Sequence, residues 1–324
     1  MSTYENLHGR RVNVVSSNPS NPKEGEVWYN STLGLLKGYV LSPASISSGG
    51  NMTLARGQLG GCGASQNSGI VFGGEAPSVP TITAKTEEYD GTSWSNGGDA
   101  PTGKSDMVSV GTQTAALWGG GSPTSSASYL YNGTSWSPTG AMPFSNRDVY
   151  SGGAGTSTAG LSIGGFISPG NYSSVMCEFD GSSWTNIPQT FPSAPKTNTF
   201  STAGIQTACL SAGPGTDSIE WNGSTWTATN NLATASSSAV HSGTVSGSVL
   251  MGGGPGYKTD IQTWDGTNWS NSPLSLSTGR SQGAEAGTAT ASYIAGGADG
   301  SPTNSAATEE FNAAVVATKT LTTG

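Results

Sequence analysis

The stretch Tyr89-Asp90-Gly91-Thr92-Ser93-Trp94 decides how this chain is read, because its pattern returns four more times. It recurs as Tyr131 to Trp136, Phe179 to Trp184, Trp221 to Trp226 and Trp264 to Trp269: an aromatic residue, Asp or Asn, Gly, two small polar residues and tryptophan. The tryptophans step by 42, 48, 42 and 43 residues, and a period in the forties marks a stacked or circular repeat. Asp-Gly or Asn-Gly between β-type runs is a strong hairpin signal, and it predicts a type I′ turn with positive φ at both central residues.

Working outward from the hairpin, a double glycine ends an apolar run at Gly73-Gly74, Gly119-Gly120, Gly164-Gly165, Gly252-Gly253 and Gly296-Gly297. Ala212-Gly213 fills the remaining slot, so the chain holds six units. Each reads as four strands; around Lys104 these are Met107 to Val110, Ala115 to Trp118, Ser128 to Tyr131 and the strand carrying Trp136. Four-stranded units arranged radially make a β-propeller, which leaves only short protected edges. The expected fold is all-β: a six-bladed propeller over residues 44–324 with four antiparallel strands per blade, preceded by an N-terminal segment, residues 1–43. The five repeated tryptophans are read as filling between blades, because a binding platform would not repeat so regularly.

Composition agrees. Gly makes up 49 of 324 residues, and charged residues are 10%, against about 25% in an ordinary soluble domain. Net charge is −8, from 12 basic and 20 acidic residues, which argues against a grip on nucleic-acid phosphates. No run of some 18 apolar residues offers a membrane-spanning helix, so no membrane insertion is expected. Cys62, Cys177 and Cys209 are far apart and form no CxxC pair, and the last two are read as buried small hydrophobes. No cofactor or metal is expected.

The last unit departs from the pattern, since Ala313-Ala314-Val315-Val316 replaces the Gly-x-x-Trp end. At the other end Ile46 aligns with the tryptophan slot, so both termini offer a closing fourth strand. The C-terminal strand is the preferred one for blade six. The head contains a predicted hairpin: a strand with Val27 and Tyr29, a Ser-Thr-Leu-Gly turn, and a strand from Leu35 to Val40. One isolated hairpin is marginal in water, so Trp28 and Tyr29 are candidate attachment residues.

Apolar run, double glycine, spacer, aromatic and tryptophan together resemble the kelch repeat. The wording from Pro22 to Lys37, with Gly25-Glu26-Val27-Trp28-Tyr29-Asn30, resembles a segment of tail-fibre and other virion proteins of tailed bacteriophages. The blades, with Thr86-Glu87-Glu88-Tyr89-Asp90-Gly91-Thr92-Ser93-Trp94, look like kelch-type structural proteins of marine tailed phages. The resemblance implies a non-enzymatic virion component, assembled in the host cytoplasm and associated with tail or fibre. Its implied partners are other virion proteins, through the N-terminal segment, and a host-surface glycan or protein. The alternative is an architectural capsid-decoration or connector subunit that meets only virion proteins; oligomeric state stays open.

Enzymatic propellers of this kind carry marks that this sequence lacks. A galactose-oxidase-like copper site needs paired histidines, and His8 and His241 are the only two in the chain. A sialidase-like Asp box separates Asp from Gly, whereas here they adjoin and Asn132 and Asn222 alternate with Asp, which points to turn geometry.

Two patterns nominate binding residues. Basic residues open the innermost strand in five units, at Arg56, Lys104, Arg147, Lys196 and Arg280. They form either a positive rim around the channel or structural pairs with Glu88, Glu178, Glu220 or Glu310, and the structural reading is preferred. Loop lengths after the second glycine vary while the hairpin does not, so binding residues are sought at Pro77 to Thr83, Phe166 to Tyr172, Pro255 to Lys258 and Asp299 to Asn304. Phe166, Tyr172 and Tyr257 are the aromatic candidates there.

Overall fold

The computed structural model describes residues 12–77, 82–147, 153–167, 171–192, 200–301 and 304–321, and among these every regular element is a strand. The strands form seven sheets. Six share one plan, which blade two shows with Val108–Thr112, Ala115–Gly119, Ser128–Tyr131 and Trp136–Thr139 in antiparallel order. The six innermost strands are Gly60–Ser65, Val108–Thr112, Gly153–Thr156, Ser201–Ile205, Val240–Thr244 and Ala284–Gly287; each packs on the next and the last on the first. That closes a ring of six blades, matching the six sequence units, and the seventh sheet belongs to a separate unit.

Burial explains the sequence of each strand. Second strands such as Ser68–Phe72, Gly247–Met251 and Ala291–Ala295 are buried at four consecutive positions, because neighbouring blades cover both faces. Fourth strands of blades one, two, three and five bury their tryptophan and mostly expose the residues after it, as in Trp94–Asn96 and Trp136–Thr139, so the outer edge is polar.

Ring closure differs from the sequence expectation. The fourth strand of blade six is Ser45–Ser48, from the N-terminal side, with Gly49 N–H donating to Thr308 O at 2.9 Å and Met52 N–H to Ala306 O at 2.8 Å. The C-terminal strand Val315–Thr320 instead pairs antiparallel with Leu35–Ser42, matching Val316 to Leu41 and Lys319 to Gly38. The reason lies after Phe311. In the other five blades the hairpin turns on a glycine with φ between 88° and 97°, and here Ala313 stands in that glycine's place, where a Cβ makes the conformation costly.

Consequently residues 1–45 and 313–324 form one unit and residues 46–312 the other. In the terminal unit the predicted hairpin is present as Val27–Asn30 and Leu35–Ser42, flanked by Val315–Thr320 on one side and a short parallel strand, Asn13–Val15, on the other. Trp28 is wholly buried, with its indole donating to Asn18 Oδ1 at 3.2 Å; that acceptor also takes a bond from Asn30 Nδ2 at 3.0 Å. Trp28 is therefore core rather than an attachment residue. Tyr29, on the opposite face, is 39% exposed.

Candidate functional site

The repeated hairpin is scaffold down to its atoms. Asp90, Asn132, Asp180, Asn222 and Asp265 each accept two backbone N–H bonds from the residues two and three ahead, at 2.7 to 3.0 Å. Aspartate and asparagine exchange freely because both offer that oxygen, and the two donated bonds hold the Asp180 carboxyl well below its ordinary range. Within each loop the glycine alone is left-handed, so these are four-residue loops and not the type I′ turns that Asp-Gly suggests.

Each tryptophan then ties its blade to the one before. Trp94 Nε1 donates to Thr308 Oγ1 at 2.9 Å, Trp136 to Thr86 at 3.0 Å, Trp184 to Ser128 at 2.9 Å and Trp269 to Ser218 at 3.0 Å. Trp226 meets Met176 Sδ at 3.2 Å in the equivalent place. Blade six has Ile46 in the tryptophan slot, and blade five has Ile261 where the others carry the acceptor, so donor and acceptor are absent together. Replacing Thr86 with Val keeps the shape and strands a buried indole N–H, which should cost about 1–3 kcal/mol in urea unfolding. An unchanged midpoint for T86V would show that the bond carries no stability.

Phenols and glutamines add further ties. Tyr89 Oη donates to Glu310 Oε1 at 2.7 Å and Tyr131 Oη to Glu88 Oε1 at 2.6 Å, both between blades. Burial first, and the carboxylate second, push the Tyr131 phenol up to about 12. Gln113 Nε2 reaches Gly69 O and Tyr89 O, Gln206 reaches Gly160 O and Phe179 O, and Gln66 joins blade one to Ser292 O and Phe311 O of blade six. Sequence reading passed over these glutamines, although each sits in a turn between the first two strands.

The basic slot is not a common rim. Arg56 is wholly buried and donates to Glu87 Oε1 at 2.6 Å and to the carbonyls of Gly73 and Lys85. Arg280 is likewise buried, bonded to Glu309 and to Ala307 O. The partner carboxylates lie one residue earlier than Glu88 and Glu310, which point to the neighbouring phenols instead. Only blades one and six have glutamate at that earlier position; blade two has Tyr129, which stacks on Trp118 at 4.8 Å, and Lys104 there donates to Pro123 O at 2.5 Å. Arg147 pairs through its backbone with Phe166, and Lys196 lies outside the described residues. Arg56 and Arg280 are thus excluded as ligand-binding residues by burial.

The aromatic candidates fall in two places. Phe166 and Tyr172 are not in a loop: they pair with each other where blade three's Ala159–Ile167 and Asn171–Phe179 extend as a hairpin, and Phe166 is half-buried. Tyr257 lies in the blade-five loop, 43% exposed, with φ of 53°, a conformation uncommon for a non-glycine residue. Glycines make room for it: a Cβ on Gly279 would sit 1.8 Å from the Tyr257 carbonyl, and one on Gly300 3.3 Å from its ring. Lys258 anchors the loop by donating to the Ala235 carbonyl. Tyr257 and Ile205 are the exposed large hydrophobic residues among the described part of the propeller.

The axis holds the remaining chemistry. Gln58, Asp106, Ser238 and Gln282 occupy one level of four blades, all with φ between 50° and 59°. They are linked head to tail, Asp106 N–H to Gln58 O, Gln58 N–H to Gln282 O and Gln282 N–H to Ser238 O, at 2.9 to 3.0 Å. His241 is spent on structure: Nδ1–H donates to Ser201 O at 3.1 Å, Nε2 accepts from Ser248 Oγ at 2.9 Å, and burial lowers its pKa to about 4. Cys62, Cys177 and Cys209 are buried free thiols, and burial raises Cys177 to about 12. Glu285 lines the channel, and burial raises its carboxyl to about 8. None of these forms a nucleophile–base pair.

Among solved structures the chain is similar to one titled "Structure of YjhT", with a TM-score of 0.63 over 83% of this chain and 99% of that one, at 12% identity. At that identity the likeness establishes the fold, a β-propeller, and nothing finer. No protein-family model matches the chain, and no curated protein does.

Proposed function

We propose that this chain is a non-enzymatic structural protein of a tailed-phage virion, tail- or fibre-associated. Its terminal unit attaches it to other virion proteins, and its propeller loop face meets a host-surface glycan or protein. The observation that carries this reading is the placing of exposed apolar side chains. Among the described residues nine large hydrophobic side chains are exposed, and seven of them lie in the terminal unit: Val12, Val14, Tyr29, Leu33, Leu35, Leu41 and Val315. Clusters of exposed apolar residues mark contact surfaces. The kelch-like repeats and the phage-like head supply the virion context.

Triple replacement of Val14, Leu33 and Leu41 by Ser should prevent incorporation into particles while the isolated protein still melts as wild type. Normal incorporation would overturn the attachment role. Tyr257→Ala should reduce adsorption of assembled particles to host cells roughly tenfold, since a truncated hot-spot aromatic typically costs about 1–2 kcal/mol or more. Unchanged adsorption, with the loop face covered by other subunits in the particle, would favour the architectural decoration role instead.

A further inference from the structure

The six junctions of the ring are not tied alike. Blades one and two are joined by three sets of side-chain bonds: Trp136 Nε1 to Thr86 Oγ1, Gln113 Nε2 to the Gly69 and Tyr89 carbonyls, and Tyr131 Oη to Glu88. Blades six and one have the same three, from Trp94 to Thr308, from Gln66 to the Ser292 and Phe311 carbonyls, and from Tyr89 to Glu310. Three further junctions keep at least the tryptophan contact. Between blades five and six all three ties are missing at once. Ile46 and Ile261 stand in the tryptophan and acceptor positions, Phe311 has no hydroxyl to donate, and Ala289 occupies the turn position of the glutamines.

Strand register shows what the alanine leaves unmade. Each glutamine bonds the carbonyls of two residues paired across the second and third strands of the preceding blade: Gly69 with Tyr89, Gly160 with Phe179, Ser292 with Phe311. The same pair in blade five is Ser248 with Trp264, and among the described residues no side chain donates to either carbonyl. Where the glutamine would lie there is a groove of about 290 Å³, between the turns at residues 243–247 and 287–290. Even a Cβ added to Gly247 would come no nearer than 3.7 Å to Ala289 Cβ or to the Trp264 carbonyl oxygen. Among the described residues, the innermost strands Val240–Thr244 and Ala284–Gly287 also pack on each other less extensively than any other neighbouring pair on the axis. Bonding and packing are therefore weakest at the same seam.

Backbone bonds hold the opposite end of this junction. Gly253 N–H donates to Arg280 O at 2.8 Å, Arg280 N–H to Lys258 O at 3.1 Å and Gln282 N–H to Ser238 O at 2.9 Å. These lie at the connector into blade six, on the loop side, whereas the groove lies between the turns on the other side. We propose that the propeller opens as a wedge between blades five and six, hinged on residues 280–282, while the other five junctions stay closed. Blade six then moves with blade one, because Ser45–Ser48 leads directly into blade one and the three ties of that junction persist. In a repeat ring each junction contributes its own share of stability, so sub-global opening begins where that share is smallest.

Native-state hydrogen exchange of the full-length protein, read by mass spectrometry, tests the wedge without any variant. Amides of Val240–Thr244 and Ala284–Gly287 should exchange about tenfold or more faster than those of Gly60–Ser65 and Val108–Thr112, which flank a junction with all three ties. Ala289→Gln should slow the two seam strands by about tenfold, as two added hydrogen bonds would, and leave the other strands unchanged. The double variant Gly247→Cys with Ala289→Cys places its Cβ atoms 3.7 Å apart, within disulfide range. Its oxidised form should lose the fast exchange at the seam, and dithiothreitol should restore it. Equal exchange across the innermost strands, fastest exchange at another junction, or a seam as fast in the oxidised double variant as in the wild type would each overturn the proposal.

Discussion

Arg280→Met should cost about 3–5 kcal/mol, lowering Tm by roughly 10 °C in a domain of this size. Glu309 is 2% exposed, and its oxygens are held by Arg280 and by the Ser277 backbone N–H. Without the guanidinium a buried carboxylate loses its counter-charge, and the Ala307 carbonyl loses a donor. Replacing both partners, R280M with E309L, should recover most of the stability, since a well-packed apolar pair often matches a buried ion pair. Thermal unfolding of the single and double variants checks both statements; a neutral single variant, or a double variant no better than the single, would defeat the explanation.

The second large effect concerns the first residues of the ring. A chain beginning at Asn51 should lose cooperative melting or fall by roughly 10 °C or more, because blade six is left with three strands. The loss extends into blade one: a Cβ on Gly49 would lie 2.4 Å from the Tyr89 hydroxyl, and one on Gly50 2.4 Å from the Thr92 carbonyl, so this segment packs tightly over that hairpin. A chain beginning at Pro43 keeps Ser45–Ser48 and should melt much closer to the intact protein. Equal melting of the two truncations would argue that the ring closes without this strand.

Much of this was legible in the residues. Six double-glycine slots give six blades, and the constant spacing from aromatic to tryptophan marks the hairpins. The scaffold role of the tryptophans comes from their regularity, and the structure shows its chemical form in the hydroxyls of Thr86, Ser128, Ser218 and Thr308. The features that sequence reading missed depend on strand parity and on long-range pairing. Glu87 and Glu88 are adjacent in the chain but face opposite sides of the strand, one toward Arg56 and the other toward Tyr131. The choice between two closing strands turned on a single absent glycine after Phe311, a local backbone demand with no hydropathy signature. Glu285 was equally silent, because a lone carboxylate in a strand of small residues becomes distinctive only when five other blades surround it.

The paired absence of a tryptophan at Ile46 and of an acceptor at Ile261 has a topological consequence. Every other junction is held by a directional tie from one blade to its predecessor, so a chain opened there would have to rebuild that tie across two free ends. The junction of blades five and six asks for none, since both residues are apolar. A circular permutant that moves the termini to any other blade must therefore carry its own tryptophan strand across the new break, whereas the natural order spares the ring that requirement.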